Sequence, residues 1–404
     1  MSIAREGVLF IKILKMELGN REKRILTDEL YDAENDCLKE EALSPHFLLF
    51  LNPIPKIDPN QKVVTLLLTT ECNAGCAYCY AGNYGKKQMN FETAKMAIDT
   101  AFSDFPGRVN FVFFGAGEPT TEIELIGEIL DHLEYNYKGK YVADLMTNGM
   151  FSETAYETIM RMDSVCISHD GLPAIQDKIR PLKGGQKSSD LVSRNIRHFL
   201  NRKPVSIRMT VTGLSIGRLK EAVDYFFGLG VKNISMSPFF TTEKSKKNNV
   251  LPVDEKEFVD NFLDAKKYGE ELGMNIASEY LPIKPRPSFC GFEQPMSVIT
   301  PGGFLSACWE WCEVGEGSEF VYGKIGQKAN PILEKIKRRT PENLEECDKC
   351  FLRFTCAGGC AARHYEKTGD LMNLDQERCE LMRYAVKKYL LSIARKYKDE
   401  AENK

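Results

Sequence analysis

Between residues 63 and 236, short apolar runs alternate with longer amphipathic segments about six times over, and no other feature of this sequence restricts its fold as tightly. The runs are Val63 to Leu68, Asn110 to Phe114, Tyr141 to Met146, Ser164 to Ile167, Val205 to Val211 and Asn233 to Met236. Among the intervening segments, 90–105 opens on Asn90 as an N-cap, and 219–229 places Leu219, Ala222, Val223 and Phe226 on one helical face. Strand then helix, repeated in this way, implies an α/β fold in which helices cover a parallel sheet. Six units are too few for a closed eight-stranded barrel, so an open or partial (β/α)6 barrel is expected, with chemistry at the C-terminal ends of its strands.

On either side of this core the pattern changes. Residues 1–60 are expected to form an N-terminal appendage, a candidate for partial leader-peptide recognition, whose apolar run Val8 to Leu18 fits strand and helix equally well. The barrel occupies 61–280. Prolines at 282, 285 and 287 then open a second, cysteine-rich domain over 281–380, with little regular periodicity. Residues 381–404 carry Leu381, Ala385, Tyr389 and Ile393 at helical spacing, a closing helix. The lysine-rich stretch 244–247 is expected to be a mobile loop. With 54 basic and 57 acidic side chains, the net charge of −3 advertises no nucleic-acid partner. The apolar runs fall well short of the roughly 20 residues of a membrane span, so a soluble, cytoplasmic protein without a membrane partner is expected.

Thirteen cysteines are far more than a cytoplasmic chain needs for structure. Three lie in Cys72-Asn-Ala-Gly-Cys76-Ala-Tyr-Cys79 and eight between Cys290 and Cys379; Cys37 and Cys166 stand apart, the latter read as a buried core thiol. The first group follows the first strand, so three thiolates converge on one loop and leave a fourth metal position open. Iron–sulfur clusters take cysteine thiolates, normally four. Structural zinc, which favours paired arms and complete closure, is the alternative.

The spacing, with Tyr78 before the last cysteine, resembles the CxxxCxxC signature of the radical SAM enzymes. That resemblance implies a partial six-stranded barrel and a 4Fe-4S cluster on Cys72, Cys76 and Cys79. Its open iron would be chelated by S-adenosyl-L-methionine, which is cleaved to a 5′-deoxyadenosyl radical. Gly115-Ala-Gly117-Glu118-Pro119 matches the family's GGE segment, with Ala116 in place of one glycine. Thr147-Asn148-Gly149 and Ser168-His169-Asp170-Gly171 follow at the next strand ends, the latter resembling SxDG. By resemblance, Tyr78, Gly117, Glu118, Thr147, Asn148 and Ser168 bind the cofactor, whereas His169 has no catalytic role. Arg180-Pro181, on the loop after the fourth strand, is expected to be plain surface loop, with the lining of a substrate mouth as the alternative.

The second array is Cys347-x2-Cys350-x5-Cys356-x3-Cys360 with a trailing Cys379, preceded by Cys290, by Gly303 with Cys308 beyond it, and by Cys312. It resembles the SPASM extension of radical SAM peptide and protein maturases. The resemblance implies two auxiliary 4Fe-4S clusters, one on Cys347, Cys350, Cys356 and Cys379, the other on Cys290, Cys308 and Cys360 with Cys312 as candidate fourth ligand. Three clusters then offer twelve positions; the nucleotide takes one and eleven cysteines fill the rest.

The expected activity is that of an oxidoreductase-type maturase of ribosomally made peptides, abstracting hydrogen and forming a thioether or carbon-linked crosslink. Its partners would be a precursor peptide or protein and a low-potential electron donor of flavodoxin or ferredoxin type. An anaerobic sulfatase-maturating activity, oxidising Cys or Ser to formylglycine, is the alternative. That group typically has an acidic base after the cysteine matching Cys308, where this chain has Trp309 and then Glu310. A non-catalytic zinc-binding scaffold is the alternative of another class.

Overall fold

The computed structural model describes residues 61–402, apart from 82–84, 283, 293–296 and 313–317, together with 31–32, 35 and 37–39. The N-terminal appendage expected over 1–60 lies almost entirely outside these residues. Two compact units emerge, one comprising Asp58–Ser278 with Met296–Leu333, the other Met1–Ile57, Glu279–Pro295 and Glu334–Lys404.

The first unit is built on one ten-stranded sheet. All six expected strands are present: β1 (Gln61–Leu67), β2 (Arg108–Phe114), β3 (Tyr141–Thr147), β4 (Ser164–Ser168), β5 (Val205–Val211) and β6 (Asn233–Pro238). They are followed by β7 (Asn275–Ala277), β8 (Ser297–Ile299), β9 (Phe304–Ser306) and β10 (Val321–Lys324). The order is β10-β9-β8-β1-β2-β3-β4-β5-β6-β7, parallel from β8 to β7, with β9 and β10 antiparallel. The stretch 281–380, expected as one cysteine-built domain, is therefore divided, because Ser297–Ile299, Phe304–Ser306 and Val321–Lys324 complete the sheet. These added strands are three or four residues long, too short to display the alternation by which longer strands are read.

Helices α1 (Phe91–Asp104), α2 (Ile123–Tyr137), α3 (Tyr156–Met160), α4 (Pro173–Ile179), α5 (Ser189–Leu200), α6 (Leu219–Leu229), α7 (Glu243–Lys247) and α8 (Glu255–Glu271) connect the strands. Asn90 caps α1 by accepting from the Thr93 amide at 2.8 Å. Leu219, Ala222, Val223 and Phe226 of α6 are all buried, and Gly230, in the left-handed region at φ 91°, ends that helix. No described helix is long and apolar enough to cross a membrane.

The sheet's two faces differ in chemistry. One carries Phe111, Phe113, Leu145, Val165, Ile167, Ile207, Met209 and Met236, all buried. The opposite face is more polar, with half-buried Asn110, Asp144, Ser164, Cys166, Ser168, Ser206, Arg208 and Ser235 beside the apolar Val112 and Met146. Cys166 thus stands on the polar face and is no core thiol, since alternation along β4 gives the core to Val165 and Ile167.

In the second unit, Cys347 ends a short 3-10 turn and Cys356 ends the helical turn Arg353–Cys356. Cys360 occupies the N-cap position of the helix Ala361–Thr368 with no side-chain cap bond, and Cys379 lies in the first turn of the long helix Gln376–Glu402. None of the thirteen cysteines is in a disulfide.

Candidate active site and cysteine centres

The loop after β1 carries Cys72, Cys76 and Cys79, and neighbouring strand ends hold it from several sides. Asn148, just past β3, donates through Nδ2 to Asn73 Oδ1 at 2.8 Å and lies 3.8 Å from Cys72 Sγ. Asn73 in turn donates to the Met150 carbonyl at 2.7 Å. The end of α4 and the segment after it accept from Ala77 N through Ile179 O and from Gly75 N through Pro181 O, both at 2.8 Å, while Lys183 N donates to Asn73 O at 2.7 Å. Beyond β6, Asn248 donates to the Ala77 carbonyl at 2.9 Å and Thr242 to the Tyr78 carbonyl at 3.3 Å. These last bonds come from α7, where Thr242 and Ser245 form a capping box. The lysine-rich stretch expected as a mobile loop is therefore a capped helical turn.

Glu118 is fully buried, and its carboxylate is the hub of the next two strand ends. It accepts from the Thr120 amide at 3.0 Å, from the Thr120 and Thr147 hydroxyls at 2.6 Å each, and from the Asn148 amide at 2.6 Å. Burial raises its pKa, opposed by these bonds. Glu118 and Thr147 thus engage each other and shape the site through Asn148. Gly117 crosses the first loop so closely that a Cβ there would lie 1.8 Å from the Glu71 carbonyl oxygen. The Ser168 hydroxyl ends β4 with no hydrogen bond among the described residues.

Tyr78 and Asp170 lead to a residue whose place in the site the sequence did not reveal. The Tyr78 hydroxyl donates to Asp170 Oδ2 at 2.6 Å and accepts from Arg180 at 2.8 Å. Asp170 Oδ1 accepts from the Thr210 amide at 3.1 Å, and Tyr78 stacks on Phe239. Arg180 is no surface-loop residue: its charged end is buried, and Nε has no hydrogen-bond partner. Burial works against its charge, while the acidic groups that face it, Cys76, Tyr78 and Asp170, act the other way and leave its pKa raised. Burial pushes the Cys76 thiol up to about 11, with Arg180 pulling the other way. Only its place before a proline marked Arg180 in the sequence, whereas the fold turns it inward. His169 is buried against Tyr225 and Phe226, where burial and then the Arg180 charge lower its pKa.

Cys308 and Cys312 belong to this same unit. Cys312 is buried with Leu67, Ala81, Ala116 and Val298, with Cys79 and Trp309 packed against the cluster, and its thiol donates to the Trp309 carbonyl at 2.8 Å. Trp309 donates to the Thr65 hydroxyl at 3.2 Å and packs on Phe114.

In the other unit, Cys347, Cys350, Cys356 and Cys379 line one cavity together with Leu352, Leu374 and Met382. Cys290, in the left-handed region at φ 59°, is an electrostatic neighbour of Cys360. Burial pushes Cys290, Cys347 and Cys379 up to about 12 as thiols. Both cysteine regions offer soft sulfur donors and buried guanidinium groups, which suits anionic iron–thiolate centres. Among the described residues no set of three or more Cys, His, Asp or Glu groups is drawn in tightly enough for a single ion. A cuboidal cluster has no such need, because each of its thiolates sits on a different iron.

Comparison with known proteins agrees with this geometry. The family described as the Radical SAM superfamily matches residues 66–226. An uncharacterized protein of Methanocaldococcus jannaschii is 34% identical over 285 residues, covering 69% of this chain and 93% of that protein. The radical SAM cyclopropyl synthase TigE of Paramaledivibacter caminithermalis is 21% identical over 411 residues, covering 89% of this chain and 80% of its own. Among solved structures, anSMEcpe with bound AdoMet and the Cp18Cys peptide superimposes with a TM-score of 0.64 at 20% identity, covering 84% of this chain and all of that one. Streptococcus suis SuiB bound to precursor peptide SuiA gives 0.59 at 15% identity, covering 79% and 75%. The chain belongs to the radical SAM superfamily and is an enzyme. The alternative of a non-catalytic zinc-binding scaffold is thereby overturned.

Proposed function

We propose that this chain is a peptide maturase. It abstracts hydrogen from a residue of a ribosomally made precursor and closes a thioether or carbon-linked crosslink. The observation that carries this reading is the meeting, at consecutive strand ends, of three cysteines on one loop with Gly117, Asn148, Ser168 and the buried Arg180. Cys72, Cys76 and Cys79 would hold a 4Fe-4S cluster. With S-adenosyl-L-methionine bound, that centre supplies a 5′-deoxyadenosyl radical when given one electron by a flavodoxin- or ferredoxin-type donor. The chain's part is to bind, orient and exclude water. The open Ser168 hydroxyl and the unpartnered Nε–H of Arg180 suit the polar groups of an amino-acid nucleotide. Gly117 allows its backbone to lie close to the loop, and Glu118 with Thr147 fixes Asn148 beside Cys72. Two auxiliary 4Fe-4S centres of a SPASM extension are assigned, one to Cys347, Cys350, Cys356 and Cys379, the other to a ligand set that includes Cys290 and Cys360. A reducing, cytoplasmic setting suits so many unpaired thiols.

Peptide substrates are supported by the peptide-bound neighbours, and carbon-linked products by the cyclopropyl synthase. The similarity to anSMEcpe favours formylglycine formation as a second reading. Against it stands Trp309, whose indole is fastened to Thr65 and Phe114 where that activity typically has an acid. Anaerobic reconstitution with reductant, S-adenosylmethionine and candidate precursor peptides tests both. Crosslinking gives 5′-deoxyadenosine and a peptide lighter by two hydrogens. A cysteine that loses sulfur and gains oxygen establishes the second reading instead, and no 5′-deoxyadenosine under any condition overturns both.

A further inference from the structure

Arg339 has no exposed surface. Its Nε donates to the Leu371 carbonyl at 2.7 Å, and its two terminal nitrogens donate to the carbonyls of Gly358 at 2.8 Å and Gly359 at 3.1 Å. The guanidinium also lies over the Phe292 ring, 5.9 Å from its centroid. Every one of these partners is neutral. Among the described residues no carboxylate pairs with Arg339; the groups acting on it most strongly are Cys360, Cys347, Cys356 and Cys290. Burying a charge costs several kcal/mol unless an opposite charge compensates it. Neutral thiols offer no such charge, whereas thiolates bound to iron do.

The carbonyls that Arg339 grips give it a second importance. Ala357, Gly358 and Gly359 are the whole link between Cys356 and Cys360, and all three adopt the left-handed region, with φ of 51°, 80° and 61°. Ala357 is strained in that region, and the two glycines, which enter it freely, leave it as freely unless something outside the link holds them. On the ligand assignment above, Cys356 serves one auxiliary centre and Cys360 the other. The arginine fork therefore fixes the joint between two ligand sets while placing one positive charge beside both.

Resting on the assignment of auxiliary centres made above, we infer that Arg339 is a positioning residue and built-in counter-cation of the C-terminal cysteine array: it holds the Gly358–Gly359 link and sets the potential at which the auxiliary centres take up an electron. One electron added to such a centre adds one negative charge, which a fixed cation in a dry surrounding stabilises. Removing the cation must move the potential in the negative direction.

The test compares full-length, anaerobically loaded wild type with Arg339→Met and Arg339→Lys, measuring iron per chain and following redox titrations by electron paramagnetic resonance. Arg339→Met is expected to shift the auxiliary signals by at least tenfold in the reduction equilibrium, about 59 mV toward negative potential for one electron. Arg339→Lys keeps the charge but loses the fork, so it is expected to hold potentials near wild type while losing iron faster to a chelator. Wild-type potentials in a fully loaded methionine variant overturn the inference, as does a lysine variant shifted as far as methionine. Should the methionine variant hold no auxiliary iron, the lysine variant decides: loaded centres at wild-type potentials support the inference, and shifted or absent ones overturn it. Wild type carrying about four iron atoms, in place of about twelve, removes the auxiliary-centre reading itself and the inference with it.

Discussion

Gly117 lacks a side chain because the Glu71 carbonyl oxygen already occupies the place where a Cβ would stand. Gly117→Ala must push back the loop that leads into Cys72. It is expected to lower nucleotide cleavage about a hundredfold, ~2.7 kcal/mol of barrier, with reduced iron at the first centre, measured as 5′-deoxyadenosine formed and iron per chain. His169 makes the opposite case. Both its ring nitrogens are buried without partners, and burial brings its pKa down to about 3 from the usual 6.5. The folded chain keeps the ring neutral while the unfolded chain protonates it, so this contribution to stability is full above about pH 6.5 and declines as the pH falls toward 3. His169→Phe, packed on Tyr225 and Phe226, is expected to raise stability by about 1–3 kcal/mol and to flatten the loss below pH 6.5, as followed by thermal melts across pH. The sequence reading gave His169 no catalytic role. It took Arg180 for surface loop, because one arginine before a proline looks the same whether a fold turns it outward or, as here, toward Tyr78 and Cys76.

At the scale of elements, the cysteine loop is held less by itself than by neighbours distant in sequence. Asn248 and Thr242 reach the carbonyls of Ala77 and Tyr78 across more than 160 positions of chain. Thr242→Val combined with Asn248→Ala removes both bonds, at about 0.5–1.5 kcal/mol each, and is expected to quicken iron loss from the first centre to a chelator while leaving the melting of the sheet nearly unchanged. Such ties are invisible in a linear reading, which saw only lysines between 244 and 247. By contrast, the six long strands were legible, since their apolar alternation is a direct imprint of one face turned to helices. The strands Asn275–Ala277 and Ser297–Ile299 left no such imprint: three residues carry too little alternation to be told from loop.

For the whole molecule, the division at residue 281 was half legible. Prolines and cysteines marked a change of character there, yet they concealed the return of 296–333 to the sheet, because what recruits β8 is a pairing partner more than two hundred residues earlier. β8 pairs with β1, the strand from which the first cysteine loop hangs, and β9 and β10 continue outward from it. The radical SAM barrel is consequently not a detachable module. A fragment cut at residue 280 leaves the backbone of β1 bare along one side, and an uncovered strand invites another chain to pair with it. Gene fusions or domain exchanges that respect the apparent seam at 281 would yield aggregates, so any exchange of the cysteine-rich portion between relatives has to leave 296–333 with its original host.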